Sequence, residues 1–226
     1  NAEVSKVLEQ FQQATGVNLN ADIVQALGTS TVVYMSDSTG GAGLGSAVAM
    51  ISVRDKARLW PAMGKLSAIA NMQADHLPLG PGYIRLTATK DGNTDLLTLR
   101  FPGLPVPLEL TFALTDNWLI FSPTPQGALA ASRQASGRGD AGFSTNKLFA
   151  ASYPKDRQAT SITFSDVPRN LSGGYTFLSL AGSAVANGVR SPTDPKRDPG
   201  LIVPLFNDLR KDAHASVGYT YWKGDD

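Results

Sequence analysis

Residues 84–101 read IRLTATKDGNTDLLTLRF, and this stretch decides the fold. Ile84, Leu86 and Ala88 alternate with Arg85, Thr87 and Thr89, the period of two that a half-buried strand requires. Asp91-Gly92-Asn93 supplies turn chemistry, and Leu97, Leu99 and Phe101 alternate on the return. Immediately downstream, Leu108, Leu110, Phe112 and Leu114 repeat the alternation, Asp116-Asn117 turns, and Trp118 to Phe121 comes back. Two hairpins in series demand antiparallel neighbours, because short turns cannot join parallel strands.

Working outward, Thr124-Pro125 is an N-cap with proline at the first helical position, and it opens a helix to about Gln134. Toward the N-terminus, Asp55 starts a helical pattern with Leu59, Met63, Leu66 and Ile69/Ala70 on one face. Pro61 should make that helix start late or kink. Thr31–Met35 and Ala47–Val53 are apolar and β-branched and read as strands, with residues 39–45 as the flexible loop between them. Asp22–Leu27 reads as a short helix closed by Gly28. Val4, Val7/Leu8, Phe11 and Ala14 recur at helical spacing before Gly16, a C-cap glycine.

Past residue 135, Ser136–Gly142 is rich in Gly and Ser and serves as a linker. It separates a first α+β unit, 1–135, from a second, 143–226, expected to pack with it in the same globular domain. In the second unit Ser144 is expected to cap a short helix through Ala151, and Thr160–Ser165 to form a strand. Leu171, Tyr175, Leu178, Ala181 and Val185 follow at helical spacing. Ser191–Gly200, with three prolines and four charges, reads as an exposed loop, and a helix near Leu205–Leu209 follows. In the last strand Ala215, Val217, Tyr219 and Tyr221 are expected to face the core. No fixed period marks a solenoid or propeller. The class is α+β: a largely antiparallel sheet built from hairpins, with helices packed on one face.

Composition bounds the chemistry. The 226 residues contain 42% hydrophobic and 17% charged residues, which is a folding rather than a disordered composition. Twenty Lys and Arg against nineteen Asp and Glu leave a net charge of +1, too little to steer the chain to nucleic acid or an anionic membrane. The lack of cysteine removes disulfides, thiolate metal sites and cysteine nucleophiles together. No apolar run approaches the ~20 residues of a membrane span. The start at Asn1 in a helical pattern and the end at Lys223-Gly224-Asp225-Asp226 are expected of a piece of a longer protein, with any signal or anchor outside it.

Each motif that suggests chemistry has a plainer account. Gly40-Gly41-Ala42-Gly43-Leu44-Gly45-Ser46 has Ser46 where a dinucleotide loop needs glycine, and a strand rather than a helix follows, so it reads as a hairpin loop. Asp91-Gly92-Asn93-Thr94-Asp95 begins like a calcium loop, but Leu96 and Pro102 stand where glycine and glutamate belong. Ser144-Thr145-Asn146-Lys147 matches the S-x-x-K signature, of which chance supplies about one in such a sequence, and its companion motifs are missing. His76 and His214 lie in no metal-binding spacing and read as solvated. The carboxylates form no pair suited to acid–base catalysis. Arg54, Lys56, Arg58 and Lys65 surround one helix start and read as a solvated face.

Two stretches carry a resemblance: TGVNLNADIVQALG at 15–28 followed by a strand, and Phe143–Pro154 followed by ATSITFSD at 159–166. With these, the chain resembles a widespread, uncharacterised family of bacterial proteins, usually envelope-associated and carrying an N-terminal export or membrane signal. The resemblance implies an extracytoplasmic location, in the periplasm or envelope, and brings no active-site residues to carry over. The expected function is a non-catalytic module acting through protein or surface contacts, monomeric or weakly dimeric, with no catalytic, cofactor-binding or metal-binding residues and no nucleic-acid partner. One alternative is a carrier of a hydrophobic small molecule lined by Phe101, Phe112, Phe121, Phe164 and Phe177. A second is a hydrolase whose site assembles only in three dimensions, with His76 or His214 beside a serine and a carboxylate.

Overall fold

The computed structural model of the chain describes residues 2–39, 44–102, 109–139, 143–153, 159–194, 196, 198–200 and 202–221. The chain falls into two compact units, residues 1–140 and 141–226. The glycines at 40, 41 and 43, Leu108, Pro154, Trp222 and the terminal turn at 223–226 lie outside the described residues.

The first unit is an α+β structure on a six-stranded antiparallel sheet. Its elements are α1 (Ala2–Thr15), β1 (Leu27–Met35), β2 (Ala47–Val53), α2 (Lys56–Ala74), β3 (Arg85–Asp91), β4 (Thr94–Arg100), β5 (Thr111–Leu114), β6 (Trp118–Ser122) and α3 (Pro125–Ala135). Spatial order is β1-β2-β6-β5-β4-β3. Both hairpins expected between residues 84 and 121 form: Asp91 pairs with Thr94 around Gly92-Asn93, and Leu114 pairs with Leu119. Gly92 has φ +57° while Asn93 keeps a negative φ, which suits glycine at the first central position of a two-residue hairpin turn.

Alternation along the strands sorts the sheet into two faces with separate cores. On one face the register aligns Val32, Met50, Ile120, Ala113, Leu96 and Thr89 in a row across all six strands. Met50, Ile120, Ala113 and Leu96 are buried there against Ala128 and Ala131 of α3. The contact face of α3 is made of small residues, Gly127, Ala128, Ala131 and Ser132, all buried, so the helix backbone lies close to the strands. The buried Ser132 hydroxyl bonds the buried Thr94 hydroxyl at 3.1 Å. On the opposite face, Leu114 of β5 and Leu119 of β6 pack with Ala26 and with Leu59, Trp60 and Met63 of α2. Ala113 and Leu114 are sequence neighbours in different cores. Helices therefore flank the sheet on both faces, α3 on one and α2 on the other, rather than gathering on one.

Several local expectations are corrected. Asp55 accepts from the Arg58 amide and starts α2 at Lys56, so Pro61 does not delay the helix. At its fourth residue, ahead of Pro61, the helix already has a backbone bond, Leu59 N to the Asp55 carbonyl at 3.0 Å, and the proline further on removes one donor from the ladder. Asp22–Leu27 does not make a helix closed by Gly28: a single wide turn spans Leu19–Val24, and Leu27 and Gly28 already belong to β1. Gly28 is needed for close approach instead, because a Cβ there would collide with the Ser52 side chain on β2. The strand expected from Leu108 is assigned only over Thr111–Leu114, although the Leu110 carbonyl still accepts from the Leu99 amide at 2.8 Å.

The second unit holds α4 (Lys147–Ser152), β7 (Ser161–Ser165), α5 (Val167–Val189), α6 (Phe206–Lys211) and β8 (Ser216–Thr220). β7 and β8 form a two-stranded antiparallel sheet. Asn146, not Ser144, caps α4, its Oδ1 accepting from the Leu148 and Phe149 amides, while Ser144 sits in a 3₁₀ turn. Asp166 caps α5 in the same way through the Arg169 amide. The inward stripe of α5 drifts from the expected one: Leu171 and Tyr175 are half-buried, but the buried positions are Gly182 and Ala186, and Leu178 and Val185 are exposed. Small residues take the inner positions because the chain at Val203 presses on the helix, where a Cβ on Gly182 would meet it.

Candidate functional site: an apolar row across the sheet

The α2 side of the sheet carries its own register-aligned row. Val33 pairs with Ala49, Ala49 with Phe121, Phe121 with Phe112, Phe112 with Leu97, and Leu97 with Ala88. Six strands thus contribute six consecutive apolar side chains, since residues directly opposite in an antiparallel pair share a face. The equivalent row under α3 is closed at its centre, but here Ala49, Phe121 and Phe112 stay half-buried and Val33 is 75% exposed. The Phe112 and Phe121 rings lie 5.2 Å apart at 46°. The next row, toward α2, runs Thr31, Ile51, Leu119, Leu114, Asp95 and Lys90, and α2 covers it at Leu114 and Leu119. A partly covered apolar strip with aromatic rings at its middle offers surface suited to apolar groups, and its six side chains include no general acid, base or nucleophile.

Of the five phenylalanines considered as a lining, Phe101, Phe112 and Phe121 belong to the first unit and Phe164 and Phe177 to the second. Phe112 and Phe121 meet on the sheet, Phe101 packs edge-on to Tyr83 at 5.7 Å, Phe164 packs on Phe149 at 6.0 Å, and Phe177 is 70% exposed. An open recess of about 460 Å³ in the second unit is lined by Gly188, Val189, Lys196, Asp198 and Pro199, a lining of mixed polar and apolar character.

The remaining sequence candidates are engaged locally. Leu44–Ser46 forms a turn leading directly into β2, and the Ser46 carbonyl accepts from the buried Thr39 hydroxyl at 2.7 Å. In the calcium-like stretch, Asp95 pairs with Lys56 at 3.0 Å and Asp91 with Arg133 at 3.6 Å. Among the described residues no three His, Asp or Glu side chains come together to hold a metal ion. Of the basic group, Lys56 also reaches Asp116 and the Asn93 carbonyl, Arg58 the Ala21 carbonyl, and Lys65 the Gly16 carbonyl. His76 is exposed in the turn after α2, and His214 is exposed before β8, one in each unit. Among the described residues no helix is long and apolar enough to cross a membrane.

Tyr219 and Tyr221 do not face a core. They are 40% and 41% exposed, with rings 6.3 Å apart. The inner face of the two-stranded sheet is covered where Phe164, opposite Val217, meets Phe149 of α4, and it opens at the far end, where Tyr219 pairs with Ile162. Sequence reasoning missed the apolar row because it depends on β6 lying between β2 and β5. The alternation of Phe112, Phe121 and Val33 was visible, but not which strand lies beside which.

The fold and the row define an α+β protein with a half-buried apolar row on one sheet face. No family model matches the chain, and no curated protein and no solved structure matches it.

Proposed function

We propose that this chain is a non-catalytic module of the bacterial envelope that works through apolar contacts with a protein or surface partner. The observation that carries the reading is the Val33–Ala49–Phe121–Phe112–Leu97–Ala88 row, aligned across six strands and left half-buried at its aromatic centre. Envelope location rests on the family resemblance of residues 15–28 and 143–166. The test is capture of partners by the full chain and by a Phe112→Ala/Phe121→Ala variant whose circular dichroism matches wild type. A partner held by wild type and lost by the variant supports the proposal. Turnover of a substrate with no such partner sinks it.

The same half-buried rings favour a second reading, a carrier of a hydrophobic small molecule held against Phe112 and Phe121. Native mass spectrometry separates the two: a bound mass of a few hundred daltons that vanishes on denaturation identifies a cargo, and a bare chain mass from freshly isolated protein turns the search to macromolecular partners.

A further inference from the structure

The sheet has two outer strands, and they are treated oppositely. β3 carries Arg85, Lys90 and Asp91, each in an ion pair: Arg85 with Asp75 at 3.1 Å, Lys90 with Asp95 at 3.9 Å, Asp91 with Arg133 at 3.6 Å. Its Leu86 amide and carbonyl are both taken by the Asn71 side chain, at 2.7 and 2.9 Å. Charges and covered main-chain groups are the devices that keep a sheet edge from recruiting another strand. β1, with sequence LGTSTVVYM, has no charge and no proline. Among the described residues it pairs with β2 alone, and Thr31, Val32, Val33 and Met35 are exposed. The one irregularity in its register falls between Leu27 and Thr31, so Thr31–Met35 runs as a regular strand.

We propose that β1 is a self-association edge, which pairs antiparallel with β1 of a second copy about a two-fold axis through Val33. The occupant follows from charge and from the side chains. A strand arriving at Thr31–Met35 meets no charge, a second β1 brings none, and a net charge of +1 gives two copies almost no mutual repulsion. The pairing is self-complementary: Val33 opposes Val33 of the second copy, Val32 opposes Tyr34, and Thr31 opposes Met35. The Val32–Tyr34 contact, made twice, is a β-branched–aromatic pair of the kind that stabilises antiparallel strands. The two six-stranded sheets become one, and the two apolar rows meet end to end at Val33. An isologous contact of this form closes at two copies. The inference does not depend on which partner the apolar row binds.

Because the chain has no cysteine, Val33→Cys places one thiol at the axis. Directly opposed residues in an antiparallel pair have Cα atoms about 4.5–5.5 Å apart, within the ~4.4–6.8 Å that a disulfide spans. Under mild oxidation the full-length Val33→Cys chain is expected to give a covalent dimer, and Lys90→Cys, on the guarded edge, a monomer. In sedimentation the wild type is expected to dimerise with rising concentration, and Val33→Lys, with unchanged circular dichroism, to weaken the dimer by at least about tenfold. A wild type that stays monomeric from micromolar to millimolar concentration overturns the proposal. So does a dimer that Val33→Lys leaves intact and Val33→Cys fails to cross-link, which would place the contact elsewhere.

Discussion

The Asn71 carboxamide stands in for a neighbouring strand beside Leu86: its Oδ1 accepts from the Leu86 amide at 2.7 Å and its Nδ2 donates to the Leu86 carbonyl at 2.9 Å. A residue near the end of α2 thus ties the helix to the outermost strand and closes the strand's edge at that point. Replacing Asn71 by Ala removes both bonds and leaves two half-buried main-chain groups to find water. We predict a loss of about 1–3 kcal/mol in urea denaturation, and loss of hydrogen-exchange protection at the Leu86 amide. An unchanged midpoint and an unchanged exchange rate would show that the pair contributes nothing.

Two helical glycines are predicted to respond with opposite sign. Gly64 lies inside α2 with nothing near the position of an added Cβ, so Gly64→Ala should stabilise by about 0.5–1 kcal/mol by reducing backbone freedom in the unfolded chain. Gly127 is the third residue of α3, and a Cβ there would meet the Ser122 hydroxyl and stand 2.9 Å from the Thr39 carbonyl. Gly127→Ala should destabilise by about 1–3 kcal/mol, since α3 must move off the sheet. Paired thermal melts decide the matter, and equal shifts in one direction would refute the packing described for α3.

Asp198 titrates below its ordinary value of 3.8, chiefly because its carboxylate accepts from the Gly200 amide at 2.9 Å and secondarily because Arg190 bonds it at 3.3 Å. A carboxyl whose pKa is lowered on folding favours the folded state above its unfolded pKa, and that contribution is lost as pH falls through the folded one. Carbon-detected NMR titration is expected to show Asp198 still ionised when exposed aspartates are half protonated. In Arg190→Gln the midpoint should rise only part of the way, with the Gly200 amide retained.

Tyr34 shifts the other way. Burial beside Val48 pushes its phenol above the ordinary 10.0, since the charged phenolate loses solvation. Folding then favours the neutral form, so the stability it lends is present below pH 10 and fades as pH rises through the folded pKa. Ultraviolet titration of wild type against Tyr34→Phe is expected to assign one late-ionising tyrosine to this site. A difference spectrum with its midpoint at or below 10 would contradict it.

The sequence was most informative where neighbours in the chain are neighbours in the sheet. Residues 84–121 announced two hairpins because turn chemistry at Asp91-Gly92-Asn93 and Asp116-Asn117 separates runs with a period of two, and Thr124-Pro125 announced α3 through its cap. What could not be read was the pairing of Ala49–Ser52 with Trp118–Phe121, because nothing local records which strand closes against β2. Without that pairing the division of Ala113 and Leu114 between two cores stayed hidden, and so did the row through Phe121 and Phe112. The stripe on α5 was misread for a different reason: hydrophobic spacing pointed to Leu178 and Val185, while the tight approach of Val203 favoured Gly182 and Ala186.

The strand order has a consequence for how the chain finds its structure. β1 and β2 form one local hairpin and β3 to β6 one local meander, each able to assemble from near neighbours. Among the described strands of the six-stranded sheet, only the β2–β6 seam joins residues distant in sequence, and closing it means confining the loop that holds all of α2 and three strands. Loop closure of that kind sets folding rate more than it sets stability. Substitutions at Met50 and Ile120, which face each other across the seam, should therefore slow refolding in stopped-flow measurements, while equally costly changes within the β3–β4 hairpin should mainly speed unfolding. The six-stranded sheet is two quick pieces and one slow join.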